Sequence, residues 1–349
     1  MKRPAMKSKI LSIVGMALCL ALPACRKQET PPAKTGIPGP YVIGIFQSVD
    51  SPTANEVRRG ILQAFAEAGL RDGREIVVTI RIANNDIAEV QTIARELAGR
   101  VDMIIPLSTQ ALQAAILTSR KVPIVFGAVA VPYLVGAGQS ATNHLANVTG
   151  VVSTGPIRQT MALIRDVLPR ARRVGSLWTS SEINSEHYLE QARAAASELG
   201  FELVVVPVTG PTDIPRSLQR LLNEKIDVLF PMSDNTLNSS FDIIGRAAAE
   251  NATPLFASFL RSVEFGACAA LGFDFYDMGL KTGRLAVRVK NGESPGALPI
   301  ESMDAVKLYI NPEAAARQGV VFPKDLLERA ARIVSQAPAG AAAPGPVLD

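Results

Sequence analysis

The chain has 349 residues, 48% apolar and 19% charged, enough for two domains with sizeable cores. Its formal charge of +4 rests on Lys2, Arg3, Lys7 and Lys9; beyond residue 24 basic and acidic residues balance. No basic stripe interleaved with aromatics appears, so nothing points to a nucleic-acid partner.

The chain begins with a basic stretch, an apolar run over residues 10–22, and Leu22-Pro23-Ala24-Cys25. This reads as a secretory signal peptide, residues 1–24, too short and wrongly flanked to span a membrane. A cysteine directly after a small residue resembles a bacterial lipobox. The resemblance implies cleavage before Cys25, lipidation of its sulfur, and a lipid anchor on the periplasmic side of a bacterial membrane. An ordinary signal peptide cut nearby is the alternative. Residues 25–40, rich in Pro and Gly, read as the anchor and tether. Residues 335–349 read as a disordered tail. Cys268 lies in an apolar run and reads as inert packing.

Strands and helices then alternate. Strands are expected at 42–46, 76–82, 101–105 and 123–126, and helices at 54–68, 87–98 and 109–118. In 87–98, Val90, Ile93, Ala94 and Leu97 share one face. The second half repeats the scheme, with strands at 173–178, 203–207, 226–230 and 254–257 and helices at 185–199, 214–223 and 239–250. Further elements are expected at 267–273, 278–290, 306–310 and 325–333. Such alternation argues for βαβ units and parallel sheets. The expected fold class is α/β: two doubly wound parallel-sheet lobes joined by a hinge, with a ligand cleft between them. Residues 41–152 plus about 258–298 form lobe 1, and residues 153–257 plus about 299–334 form lobe 2. A ligand in such sheets sits outside the carboxyl ends of the strands.

Two stretches share one design. Apolar strand, Pro106 or Pro231, then Ser108 or Ser233 occur in the same order, and a helix follows. Free N–H groups at a helix start suit an anion. Ser108 and Thr109 are therefore either carboxylate ligands or caps. Ser233, Asp234, Asn235 and Thr236 read as polar ligand capture, with Asp234 on a cation; helix capping is the alternative. Trp178, the only tryptophan, covers an apolar ligand or packs in the core. Asn184 and Ser185 contact ligand or cap the next helix. Asp274 pairs with a ligand ammonium or caps the helix near Met278.

Enzyme chemistry finds no motif. His144 and His187 are the only histidines, they are not spaced as a metal pair, and no Ser/His/Asp or zinc pattern surrounds them. No metal or cofactor is indicated.

The chain resembles the substrate-binding lipoproteins of ABC importers in the group that includes the tryptophan and tyrosine binders. The matching pieces are Val42-Ile43-Gly44-Ile45, Pro52 with Arg58-Arg59-Gly60, Pro123-Ile124-Val125-Phe126, Asn147-Val148-Thr149-Gly150-Val151, Asp234-Asn235-Thr236, the run from Gly272 to Gly279, and Asn311-Pro312 with Ala315 and Gly319. The resemblance implies a periplasmic-binding-protein fold of type I. It also implies a small polar or zwitterionic ligand, such as an amino acid, in the interlobe cleft, and delivery to a permease driven by a separate ATPase. The chain departs from the family at Asn55, Gln110 and Val131, positions that the resemblance assigns to the ligand-facing part of the first lobe. A sensing lipoprotein of the same fold is the alternative, and a periplasmic enzyme a weaker one.

Overall fold

The computed structural model describes residues 39–334. The expected signal peptide, Cys25, most of the tether and the tail at 335–349 lie outside the described residues.

In the first stretch β1 (Tyr41–Gln47), α1 (Pro52–Glu67), β2 (Ile76–Ile82), α2 (Ile87–Ala98), β3 (Met103–Leu107), α3 (Thr109–Thr118), β4 (Ile124–Val129) and β5 (Val148–Val152) follow in turn. Next come α4 (Ile157–Val167), β6 (Arg173–Thr179), α5 (Ile183–Leu199), β7 (Glu202–Val208), α6 (Ile214–Asn223), β8 (Val228–Leu229), α7 (Asn235–Ser239), α8 (Phe241–Glu250) and β9 (Phe256–Ala257). The last stretch holds β10 (Ala269–Gly272), α9 (Phe275–Lys290), β11 (Glu301–Ser302), β12 (Lys307–Ile310), α10 (Pro312–Arg317), α11 (Lys324–Arg329) and β13 (Arg332–Ile333).

One sheet has six parallel strands in the order β11-β5-β4-β3-β1-β2. Its central strand β3 is buried throughout, as expected of a parallel sheet covered on both faces. The second half builds a three-stranded sheet, β7-β6-β8, and a four-stranded one, β13-β12-β10-β9. A parallel bridge from Leu229 to Leu255 joins them into one continuous surface. Among the strand pairs of the described residues, only β10 with β12 is antiparallel.

Each sheet assembly carries its own core. Ile43, Ile105 and Val125 pack with Met278 and Leu285 of α9; Val174, Phe230 and Phe256 pack with Ile157 and Met161 of α4. The chain therefore passes between the assemblies after β5, between β10 and α9, and between β11 and β12. Close packing of α9 on α1 depends on glycine. A Cβ on Gly60 would lie 2.2 Å from the Tyr276 carbonyl oxygen, and one on Gly279 would lie 2.1 Å from that of Val57.

The crossings fall elsewhere than the sequence suggested. Residues 269–272, expected in lobe 1, form β10 between β9 and β12; residues 301–302, expected in lobe 2, form β11 beside β5. Both strands are too short to state in sequence which sheet edge they meet. The expected helix at 239–250 is α8, which begins at Phe241, and the short α7 precedes it and ends at Ser239. The expected helix at 325–333 ends at Arg329, and Ile333 instead pairs with Ile310.

Candidate ligand-binding cleft

The carboxyl ends of strands from both assemblies face one cleft, the place that parallel α/β sheets reserve for ligands. From the first assembly come Thr53 at the start of α1, Thr109 at the start of α3, and Ala128 and Ala130 around the end of β4. Ala128 has φ of 53°, and the pairing of β4 with β5 shifts register there. The bend turns the strand end towards the cleft. From the second assembly come Asn184 and Tyr188 of α5, Ser233 to Asn235, and Asn238. Phe273 and Phe275, at a crossing, complete the wall. The cleft holds about 40 Å³. It shares Thr53, Phe273 and Phe275 with an adjoining pocket of about 280 Å³ lined by Phe259, Tyr309 and the charged Arg59, Arg261 and Asp274.

Two buried acids hold the second wall together, Asp234 within it and Glu182 behind it. Asp234 caps α7: Oδ1 accepts from Leu237 N at 2.8 Å, and Oδ2 accepts from Ser185 Oγ at 2.6 Å and Thr179 N at 3.1 Å. Burial, and then the carboxylate of Glu182, push its pKa well above 3.8. Glu182 is 1% exposed and caps α5 with its backbone, while its side chain turns to the start of α7. Oε1 accepts from Thr236 N at 2.9 Å and Thr236 Oγ1 at 2.7 Å. Oε2 accepts from Asn235 Nδ2 at 2.6 Å, Asn235 N at 3.1 Å and Asn184 Nδ2 at 3.1 Å. The donors expected to meet a ligand anion are thus met by the protein's own carboxylate.

Two side-chain oxygens of residues on this wall are acceptors left without a donor. Asn184 and Asn238 are 4% and 6% exposed, and the Oδ1 of each has no hydrogen-bond partner among the described residues. Such buried acceptors are costly unless something donates to them.

Of the ten side chains singled out by sequence, Thr109, Asn184, Ser233, Asp234 and Asn235 line the cleft. The other five stand elsewhere. Ser108 caps α3, its Oγ accepting from Ala111 N at 3.1 Å. Trp178 is half-buried and packs against the second core, outside the residues that line the cleft. Ser185 and Thr236 are buried behind the wall, bonded to Asp234 and Glu182. Asp274 lines the adjoining pocket and caps α9, accepting from Tyr276 N at 3.0 Å and from Lys307 Nζ at 2.9 Å. Burial works against its ionisation, but Lys307 and the helix N–H groups outweigh it and hold the carboxyl below its ordinary value. Sequence reasoning missed Glu182, Thr53, Tyr188 and Asn238. A single Glu before a helix looks like an exposed first-turn acid, and only the fold carries it to α7.

Cys268 is buried, its Sγ 3.0 Å from Gln318 Oε1, and burial pushes the thiol up to about 12. Among the described residues no helix is long and apolar enough to cross a membrane.

A family model described as ABC transporter substrate binding protein matches residues 42–334. A tyrosine-binding protein of Clostridioides difficile (strain R20291) is 32% identical over 270 residues, covering 77% of this chain and 78% of the relative. The structure of an ABC domain in complex with L-Trp from Streptococcus pneumonia matches with a TM-score of 0.81 at 26% identity, covering 85% of this chain and all of that one. The ligand-free, open structure of a substrate binding protein with adhesive properties from Clostridium difficile covers the same share of this chain at 30% identity, with a TM-score of 0.64.

Proposed function

Because the chain belongs to the ABC transporter substrate binding protein family, we propose that it captures a free amino acid between its two sheet assemblies and delivers it to a permease driven by a separate ATPase. The observation that carries this is the convergence of polar side chains from both assemblies on one cleft, among them Asn184 and Asn238, whose buried Oδ1 atoms have no partner among the described residues. A ligand there touches both halves at once, which is what makes closure depend on its presence. Tyr188, Phe273 and Phe275 give the cleft aromatic surface, and the adjoining pocket of about 280 Å³ gives the room that a bulky side chain needs; the binding of tyrosine and of L-Trp by relatives supports an aromatic amino acid.

The two assemblies act as lobes, hinged at the three crossings. The better match to the L-Trp complex than to the ligand-free open relative supports a closed arrangement. So do contacts between the halves: Asn85 Nδ2 donates to Thr236 Oγ1 at 3.1 Å, and Arg261 lies 3.5 Å from Glu56. Cys25 supplies the lipid anchor that holds the protein outside the membrane. Labelling with a radioactive fatty acid tests the anchor: wild type takes up label, and Cys25→Ala does not. Uptake of labelled amino acid by cells with and without the gene tests delivery, and equal uptake contradicts it.

A further inference from the structure

We propose that Glu182 is a positioning residue that makes the cleft select for a free amine. The inference rests on the amino-acid assignment above and goes further, to the group that is recognised and the residue that fixes it. An Asn side chain offers a donor on one side and an acceptor on the other. Glu182 Oε2 accepts from Asn184 Nδ2 at 3.1 Å, which fixes the sense of the amide and leaves Oδ1 as its unpartnered acceptor. Asn238 is fixed in the same sense: Nδ2 donates to Ser233 Oγ at 3.2 Å, and Oδ1 is left unpartnered. Both residues line the cleft and both are more than nine-tenths buried. Glu182 also takes the N–H groups of Asn235 and Thr236, which would otherwise draw a ligand carboxylate to this wall. The Asn184 and Asn238 oxygens are therefore fixed as acceptors beside buried acids, and a ligand group that meets them must bring hydrogen-bond donors. A carboxylate belongs on the opposite side of the cleft.

Glu182→Gln changes the sense of the wall. The Gln Nε2 can donate to Asn184 Oδ1, which turns the Asn184 amide and sends Nδ2 into the cleft. Adding Asn184→Asp restores an acceptor there. Calorimetric titration of the detergent-solubilised full chain with L-tyrosine, L-tryptophan and L-leucine, each against its deamino analogue, reads the preference for the amine. Wild type prefers the amine by about tenfold or more, as buried hydrogen bonds to charged groups do. Glu182→Gln loses most of that preference, and Glu182→Gln with Asn184→Asp regains it, a rescue that a purely structural role for Glu182 does not give. Should Glu182→Gln fail to fold, Asn184→Leu decides, since it removes the oriented amide and must also lower the preference. An unchanged preference in these variants overturns the role of Glu182 while leaving amino-acid binding intact. Failure of folded wild type to bind any of the three amino acids overturns the amino-acid assignment and this inference with it.

Discussion

Asn85 Nδ2 donates to Thr236 Oγ1 at 3.1 Å, and the same hydroxyl donates onward to Glu182 Oε1 at 2.7 Å. Because the Thr236 proton is committed to Glu182, only a donor at position 85 satisfies the contact between the halves. Asn85 has φ of 67°, a left-handed conformation that Asn and Asp tolerate. Asn85→Asp therefore keeps the backbone and sets acceptor against acceptor. We expect ligand to dissociate about three- to tenfold faster, the value of one hydrogen bond. Stopped-flow fluorescence measures it, and an unaltered dissociation rate shows that this contact does not hold the halves together.

The raised pKa of Asp234 has a consequence for stability. Its folded-state value lies above 3.8, the ordinary value. The folded protein therefore keeps this proton over a range where the unfolded chain has lost it. Stability from this group is full below 3.8 and declines as pH rises above it, until the folded value is passed. Most acids that are paired with cations give the opposite slope. Thermal unfolding followed from acid towards neutral pH should show this decline in wild type and a flatter profile in Asp234→Asn. Identical profiles contradict it.

Asp274 joins two of the three crossings, since it caps α9 and meets Lys307 at the start of β12. Asp274→Ala should cost about 1 kcal/mol of stability, the usual value of a helix cap. Its effect on ligand affinity should be smaller than that of Asn184→Leu, because Asp274 does not line the cleft. Denaturant unfolding and calorimetry on the two variants give the comparison. A larger affinity loss in Asp274→Ala would move the ligand into the adjoining pocket.

Gly60→Ala places a Cβ 2.2 Å from the Tyr276 carbonyl oxygen and 2.8 Å from Leu280 N. Both atoms belong to helical backbone, so the helices must separate. We expect a loss of about 3 kcal/mol, the upper part of the range for overpacking. A variant as stable as wild type in urea would show that α1 and α9 part without cost.

The alternation of strands and helices was legible because apolar runs and helical faces are local patterns. The destination of β10 and β11 was not, because sheet order depends on contacts distant in sequence. That Ser233, Asp234 and Asn235 line the cleft was legible for the same local reason: a polar run follows a buried strand. Glu182 was not, because its five hydrogen bonds reach Asn184, Asn235 and Thr236, two of them more than fifty positions away. The packing of Trp178 against the second core was not legible, because a tryptophan at a strand end suits packing and ligand contact equally.

The most direct test of the central claim is calorimetric titration of the twenty amino acids into the purified protein, with Asn235→Ala as its partner. We expect one aromatic amino acid to bind with one-to-one stoichiometry, and Asn235→Ala to bind it at least several-fold more weakly while melting as a folded protein, since it loses a wall residue that Glu182 holds in place. Binding of no amino acid by a well-folded wild type, or equal affinity in the two proteins, would contradict an amino-acid site in this cleft.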